Sequence, residues 1–239
     1  MSEPVKAVLA CDVEALGQTP GQSGAVEMAF VLQEVGESQP LDTKYLYLGL
    51  DAPRCARTWE EFWDNPDKGS GGKTPWVRLT ERIAFEKPKK LTLEEAALDL
   101  TRWARQWYRG FQGNIIVITD TPGFDYQFIS DMLGRLKELP EEMQSGGTAP
   151  YSLNYLFGKY QPVCDINSFY KGVGGVLCKH GSRDRMMDQL NVQRPQWLVD
   201  VEDAYDHNPL NDAKAIAGRA AFYLSLTARD VAARKKAKK

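Results

Sequence analysis

Apolar and polar positions alternate between two periods along this chain, and the change of period marks its elements. Val5 to Glu14 (VKAVLACDVE) is apolar and rich in β-formers, so it predicts a first strand ending at Ala15-Leu16-Gly17. A polar turn over 17–24 leads to a second strand over 25–35, and Tyr45-Leu46-Tyr47-Leu48 predicts a third. Residues 51–90 break the pattern with Pro53, Pro66, Gly69-Ser70-Gly71-Gly72, Pro75 and Pro88, as an insertion or mobile flap would. Thr58-Trp59-Glu60-Glu61 is a capping box within it and predicts a short helix starting there.

The helical period then takes over. Thr92-Leu93-Glu94-Glu95 is a second capping box, and Leu93, Ala96, Ala97, Leu100, Trp103, Ala104 and Trp107 carry a helix to about Tyr108. Asn114 to Thr119 (NIIVIT) suits a buried central strand. A helix is expected over 125–139, a loop around Gly146-Gly147 and Pro150, a strand over 161–166, and a short helix over 184–190. The last long helix is expected over 208–227, with Asn208 as N-cap and Pro209 at the first position. Three strands followed by alternating helices and strands describe an α/β sheet with a mixed edge.

Composition narrows the class. The 239 residues are 43% hydrophobic and 26% charged, enough to bury a core without disulfides or structural metal. Nothing approaches the roughly 18 to 20 apolar residues of a membrane span, and the start is not expected to be a signal peptide. Cys11, Cys55, Cys164 and Cys178 show no zinc spacing and fit reduced thiols in a cytoplasmic protein. Six basic residues and one acid lie between Arg229 and Lys239; the remainder holds 24 basic and 31 acidic residues, a net of −7. An acidic body cannot grip nucleic acid by bulk charge. The basic tail is either a solvated, frayed end or an arm touching phosphates.

Three places carry candidate chemistry. Asp12 and Glu14 stand two apart on the first strand and so share one face, with Cys11 and Val13 on the other. Two anions together on a buried strand call for a cation, although an exposed strand end would need none. Gly123-Phe124-Asp125 follows the apolar strand, at the carboxyl end where α/β sheets bind ligands; Asp125 is alternatively a helix N-cap. His207 stands just outside the last helix, and Asp212 is on its second turn. The small residues Ala213, Ala217, Ala220 and Ala221 bring that helix close to the sheet. Two other features are decoys. Gly72-Lys73-Thr74 imitates the end of a Walker A loop, but its first glycine falls at Asp67 and Pro75 is expected to block the helix. His180 has no triad around it.

The ordered set Asp12-x-Glu14, Phe124-Asp125 and His207-x4-Asp212 resembles the DEDDh, or DnaQ-like, 3′→5′ exonucleases of the ribonuclease H-like fold. The DVEALG form of the first motif and the tryptophan-rich stretch are most similar to phage-type and ribonuclease T-like members. The resemblance implies one exonuclease domain over 1–228, with a flap inserted at about 51–90 and a basic tail over 229–239. It implies two divalent ions, Mg²⁺ or Mn²⁺, held by Asp12, Glu14, Asp125 and Asp212, with Asp12 bridging. His207 would take the proton from the attacking water and swing in on a mobile segment. Ala15 and Leu16 would meet the 3′-terminal nucleotide, main-chain groups reading the hydroxyl and Leu16 wedging against a base. The implied partner is single-stranded RNA or DNA with a free 3′ end, with no membrane, and a homodimer is a further implied assembly.

Departures from the family pattern are also visible. Asp120-Thr121-Pro122 replaces an asparagine-containing stretch, and Asp120 reads either as a carboxylate supporting the metal ligands or, the favoured reading, as a turn acid. Trp59 and Trp63, four apart on the short helix, either stack bases or pack the flap onto the body. Two other classes remain beside the exonuclease: a catalytically silent ribonuclease H-like binding module, and an unrelated α/β protein with accidental acids.

Overall fold

A computed structural model describes residues 5–69, 71–111, 114–136, 163–166, 168, 193–204 and 206–237, the side chains of 108–110 and of 227 onward excepted. Five strands form one mixed sheet: β1 (Ala7–Ala15), β2 (Ala25–Glu34), β3 (Asp42–Tyr47), β4 (Ile115–Thr119) and β5 (Cys164–Asp165). Their order across the sheet is β3-β2-β1-β4-β5. β1, β2 and β3 run antiparallel as a meander, while β4 lies parallel to β1 and β5 parallel to β4. This is the mixed α/β sheet that the sequence predicts, with helices on both faces. The expected strands are present, although β5 is two residues long where six were expected, with 161–162 outside the described residues. The expected loop at 146–150 and helix at 184–190 also lie outside them.

The alternation along β1 sorts its side chains between two cores. Ala7, Leu9, Cys11 and Val13 pack with α2 (Leu93–Phe111) and α3 (Pro122–Gly134). Val8 and Ala10 pack against the small residues Ala213, Ala217, Ala220 and Ala221 of α5 (Pro209–Ala237). Asp12 and Glu14 share the parity of Val8 and Ala10, so they continue the α5 face of the strand. The capping box of α2 forms as expected: Thr92 N donates to Glu95 Oε2 at 2.8 Å and Glu95 N to Thr92 Oγ1 at 3.2 Å. Asp42, opening β3, accepts from the indole N–H groups of Trp103 and Trp107 at 2.7 and 2.9 Å and ties α2 to the sheet edge.

The 51–90 segment differs from its sequence expectation in two ways. Its first helix begins at Ala56 with Cys55 as N-cap and continues as a π-helical turn, Trp59–Trp63. Thr58 lies inside this unit, and Glu61 pairs with Arg57 one turn back instead of closing a box. Pro75, expected to block a helix, opens one: α1 (Pro75–Glu86) starts with Thr74 as N-cap and Pro75 at the first position. A proline there has no N–H to waste, because that N–H has no partner within the helix. A further helix, α4 (Gln196–Asp203), has no counterpart in the sequence reading. Finally, α5 runs on to Ala237, so basic residues of the tail stand on its last turns.

The insertion is bonded to the end of β1. Cys55 N donates to Leu16 O at 2.8 Å, and Trp63 Nε1 donates to Ala15 O at 3.0 Å. Gly17 lies at the crossing, where a Cβ would come 2.4 Å from Ser23 Oγ and 2.7 Å from Cys55 Cβ. Gly17→Ala is therefore expected to cost about 1–3 kcal/mol by overpacking, measured as a lowered midpoint of urea unfolding; an unchanged midpoint would show that the crossing yields freely. No helix among the described residues is long and apolar enough to cross a membrane.

Candidate metal centre

The site forms where β1 outruns β4. Their parallel pairing ends at Ala10↔Ile118, so Asp12 and Glu14 project beyond the neighbouring strand. Asp125 reaches the same place from the first turn of α3, whose N-cap is Thr121 and not Asp125. Its carboxylate accepts from Val13 N at 3.2 Å, from Thr121 Oγ1 at 3.0 Å and from the Thr119 hydroxyl. Val13 belongs to β1 and Thr119 ends β4, so Asp125 locks the helix onto the two central strands. Asp212 arrives from the opposite side, on the first turn of α5 and not the second. Asn208 caps that helix as expected, accepting from Leu210 N at 3.1 Å.

Side chains from four segments thus meet in two clusters. Glu14, His207 and Asp212 offer ligand atoms all within 4.8 Å of one another, and so do Asp12, Asp120 and Asp125. Asp120 is a correction to the sequence reading: it is not a bare turn acid but shares the second cluster. Its place follows from the sharp exit of β4 into α3, which turns residue 120 back toward β1.

The electrostatics are those of crowded anions. Asp12, Glu14, Asp125 and Asp212 are 7%, 8%, 1% and 1% exposed. Burial pushes Asp12 well above the ordinary carboxylate range, and the charges of Glu14, Asp125 and Asp212 push it further. Glu14 is raised by burial, then by Asp212 and Glu27, with Arg82 opposing. Burial lifts Asp125 to about 7 against the pull of its hydroxyl hydrogen bonds. Asp212 is likewise pushed up to about 7 by burial. Among the described residues no lysine or arginine forms an ion pair with any of these four. Hard oxygen donors, buried together without a side-chain cation, fit a divalent metal ion.

This arrangement has a pH signature. The unfolded carboxylates titrate near 3.9, whereas Asp125 and Asp212 titrate at about 7 in the folded chain. The folded state therefore holds more protons, and the stability these groups contribute is full below about pH 4 and is lost as pH rises through about 7. A divalent ion bound by these carboxylates would replace those protons. The rise in Tm on adding Mn²⁺ or Mg²⁺ over EDTA is expected to be larger at pH 8 than at pH 5, by differential scanning calorimetry. An equal or larger rise at pH 5 would mean that the clusters do not bind the ion.

The remaining predicted residues fall differently. His207 sits beside Glu14 and Asp212; burial, with Arg78 nearby, lowers its pKa from the ordinary value, against the pull of Asp206. Leu16 is fully buried among Val26, Tyr47, Trp63 and Leu79, so it presents no wedge to a base. Its N–H is taken by Gly24 O at 3.0 Å, its carbonyl by Cys55, and the carbonyl of Ala15 by Trp63. These bonds engage the main chain of Ala15 and Leu16 within the fold and tie the insertion to the end of β1. Trp63 is buried at 1% exposure, which is packing and not base stacking. Half-buried Trp59 lies edge-on to Trp76, with the Arg54 guanidinium over its ring at 4.1 Å.

No protein-family model and no curated protein matches the chain. Among solved structures it is similar to a product-bound exonuclease I, at 10% identity and a TM-score of 0.48, over 93% of this chain and 43% of that one. An E. coli exonuclease I complex with single-stranded DNA, in a zinc-bound form, aligns at 11% identity and a TM-score of 0.45, over 90% and 39%. The nuclease domain of 3′hExo, a DEDDh family member bound to rAMP, aligns at 15% identity and a TM-score of 0.42, over 91% and 90%. The chain thus spans less than half the length of these exonuclease I chains.

Proposed function

We propose that the chain is a metal-dependent 3′→5′ exonuclease that releases nucleoside 5′-monophosphates from the 3′ end of single-stranded RNA or DNA. The observation that carries this reading is the meeting of two carboxylate clusters on one strand, with a histidine in one of them. Asp12 belongs to one cluster and Glu14 to the other, and only Val13 of the strand separates them, so ions held by each would be neighbours. Asp12, Asp125 and Asp120 would hold one divalent ion, Glu14 and Asp212 the other, with Mg²⁺ or Mn²⁺ suited to the oxygen donors. Such a pair supplies charge that activates water, stabilises the transition state of phosphodiester hydrolysis and eases departure of the alkoxide.

The chain's own groups then have distinct tasks. The Val13, Thr119 and Thr121 donors orient Asp125, and the Asp206 N–H at 3.1 Å orients Asp212. Burial lowers the His207 pKa from the ordinary value, which favours the neutral imidazole that would accept a proton from the attacking water. In this reading 1–228 form the exonuclease domain, 51–90 an insert and 229–239 a basic extension. Cys11 and Cys55 are free thiols, which suits a reducing, cytoplasmic setting.

The test is incubation with 5′-labelled single-stranded RNA and DNA of matched sequence, in Mg²⁺, Mn²⁺ or EDTA. The expected result is a ladder shrinking from the 3′ end that EDTA abolishes, with the faster polymer naming the substrate. Folded protein that yields no ladder in any metal would sink the enzyme reading in favour of a silent binding module.

A further inference from the structure

His207 is held, not loose, and the grip comes from the insertion. Its φ is 60°, a left-handed conformation that costs a residue with a β-carbon about 1–3 kcal/mol and persists only where neighbours enforce it. Arg78 Nη2 of α1 meets Asp206 Oδ2 at 2.9 Å, and Asn211 Nδ2 donates to Asp206 Oδ1 at 3.1 Å. The Phe62 ring stands edge-on to the His207 imidazole, centroids 4.9 Å apart at 86°. A cavity of about 100 Å³ between α1 and this turn is lined by Arg78, Leu79, Arg82, Asp206, His207 and others. One turn along α1 from Arg78, Arg82 pairs with the fully buried Glu27. Glu27 is the register partner of Glu14 across β1 and β2. A single helix therefore braces both sides of the cluster formed by Glu14, His207 and Asp212.

We propose that the 51–90 segment seats the histidine, with Arg78 and Phe62 as positioning residues that hold His207 beside Glu14 and Asp212. This rests on the reading of His207 as the proton acceptor. Magnitudes separate this role from a merely structural one. Arg78 and Asp206 are 28% and 36% exposed, and such a pair adds about 0–1 kcal/mol to stability. Misplacing a reacting group by an ångström, by contrast, costs a rate on the order of 100-fold. Losing Arg78 should hence leave the fold nearly as stable and the turnover much reduced.

The experiment uses the full chain with Arg78→Ala, Arg78→Lys and Phe62→Leu, and two readouts. The first is turnover of the labelled strand: kcat is expected to fall about 10- to 100-fold in Arg78→Ala with KM little changed, and Arg78→Lys to recover most of it. The second is the imidazole spectrum of histidine-labelled protein, which has two histidines, His180 and His207, told apart by His207→Gln. The His207 signals are expected to shift and broaden in Arg78→Ala and Phe62→Leu and to return in Arg78→Lys. Folded Arg78→Ala and Phe62→Leu with native kcat and native His207 signals would overturn the proposal. If the native chain proves inactive in every metal, the nuclease reading fails, and the imidazole spectra alone decide whether the insertion seats the histidine. Should Arg78→Ala fail to fold, Asp206→Asn carries the same two readouts.

Discussion

Asp12→Asn is expected to remove turnover almost completely, by at least about a thousandfold, while the protein stays folded. Metal-ion charge stabilisation is worth several kcal/mol, and each 1.4 kcal/mol or so is a factor of ten in rate. Asp12 is the member of its cluster nearest in sequence to Glu14 of the other, so its loss disturbs both. The fold should not suffer, because the raised pKa of Asp12 records a cost, led by burial and added to by Glu14, Asp125 and Asp212. An amide of the same shape avoids burying that charge. In EDTA at pH 8 the variant is therefore expected to melt above the native protein, and its Tm to respond less to Mn²⁺. Single-turnover kinetics and calorimetry on one preparation check both halves. Native turnover in Asp12→Asn would dismiss the metal centre outright.

His207→Ala is expected to lower kcat by about 10²–10⁴, the usual contribution of a positioned general base. Metal binding should survive, since Glu14 and Asp212 remain in their cluster and Asp12, Asp120 and Asp125 in theirs. The separation is measurable. Asp12→Asn loses the metal-induced rise in Tm along with turnover, whereas His207→Ala keeps most of that rise and loses turnover. If His207→Ala abolished the rise in Tm, the imidazole would be a ligand and not the proton acceptor.

Much of the site was legible because its signals are local. Asp12 and Glu14 share a face through strand alternation alone, and the small residues of α5 announce close approach to the sheet. Asn208 and Pro209 mark where α5 starts and hence where His207 and Asp212 stand. Thr92 and Glu95 mark α2 by two bonds within four residues. Each of these inferences needs only the geometry of one element. The start of α1 is equally local: Thr74 as N-cap, Pro75 at the first position and Leu79 and Ile83 after it mark a helix, although a proline alone suggests a break.

What the sequence alone determined is thus the order of the strands and of α2, α3 and α5, the α/β class and the candidate chemical groups on β1, α3 and α5. Those depend on periodicity and caps, which act over a few residues. Only the tertiary structure decided which groups from distant segments come together. Asp120 joins Asp12 across 108 residues, Phe62 meets His207, and Arg78 ties α1 to Asp206. The burial of Leu16 has the same origin: the insertion folds back over it, and Cys55 and Trp63 donate to the main-chain oxygens of residues 16 and 15. A side chain's neighbours along the chain set its direction on an element. Its partners across the fold are set by how whole elements pack, and burial forces each polar group there to find one.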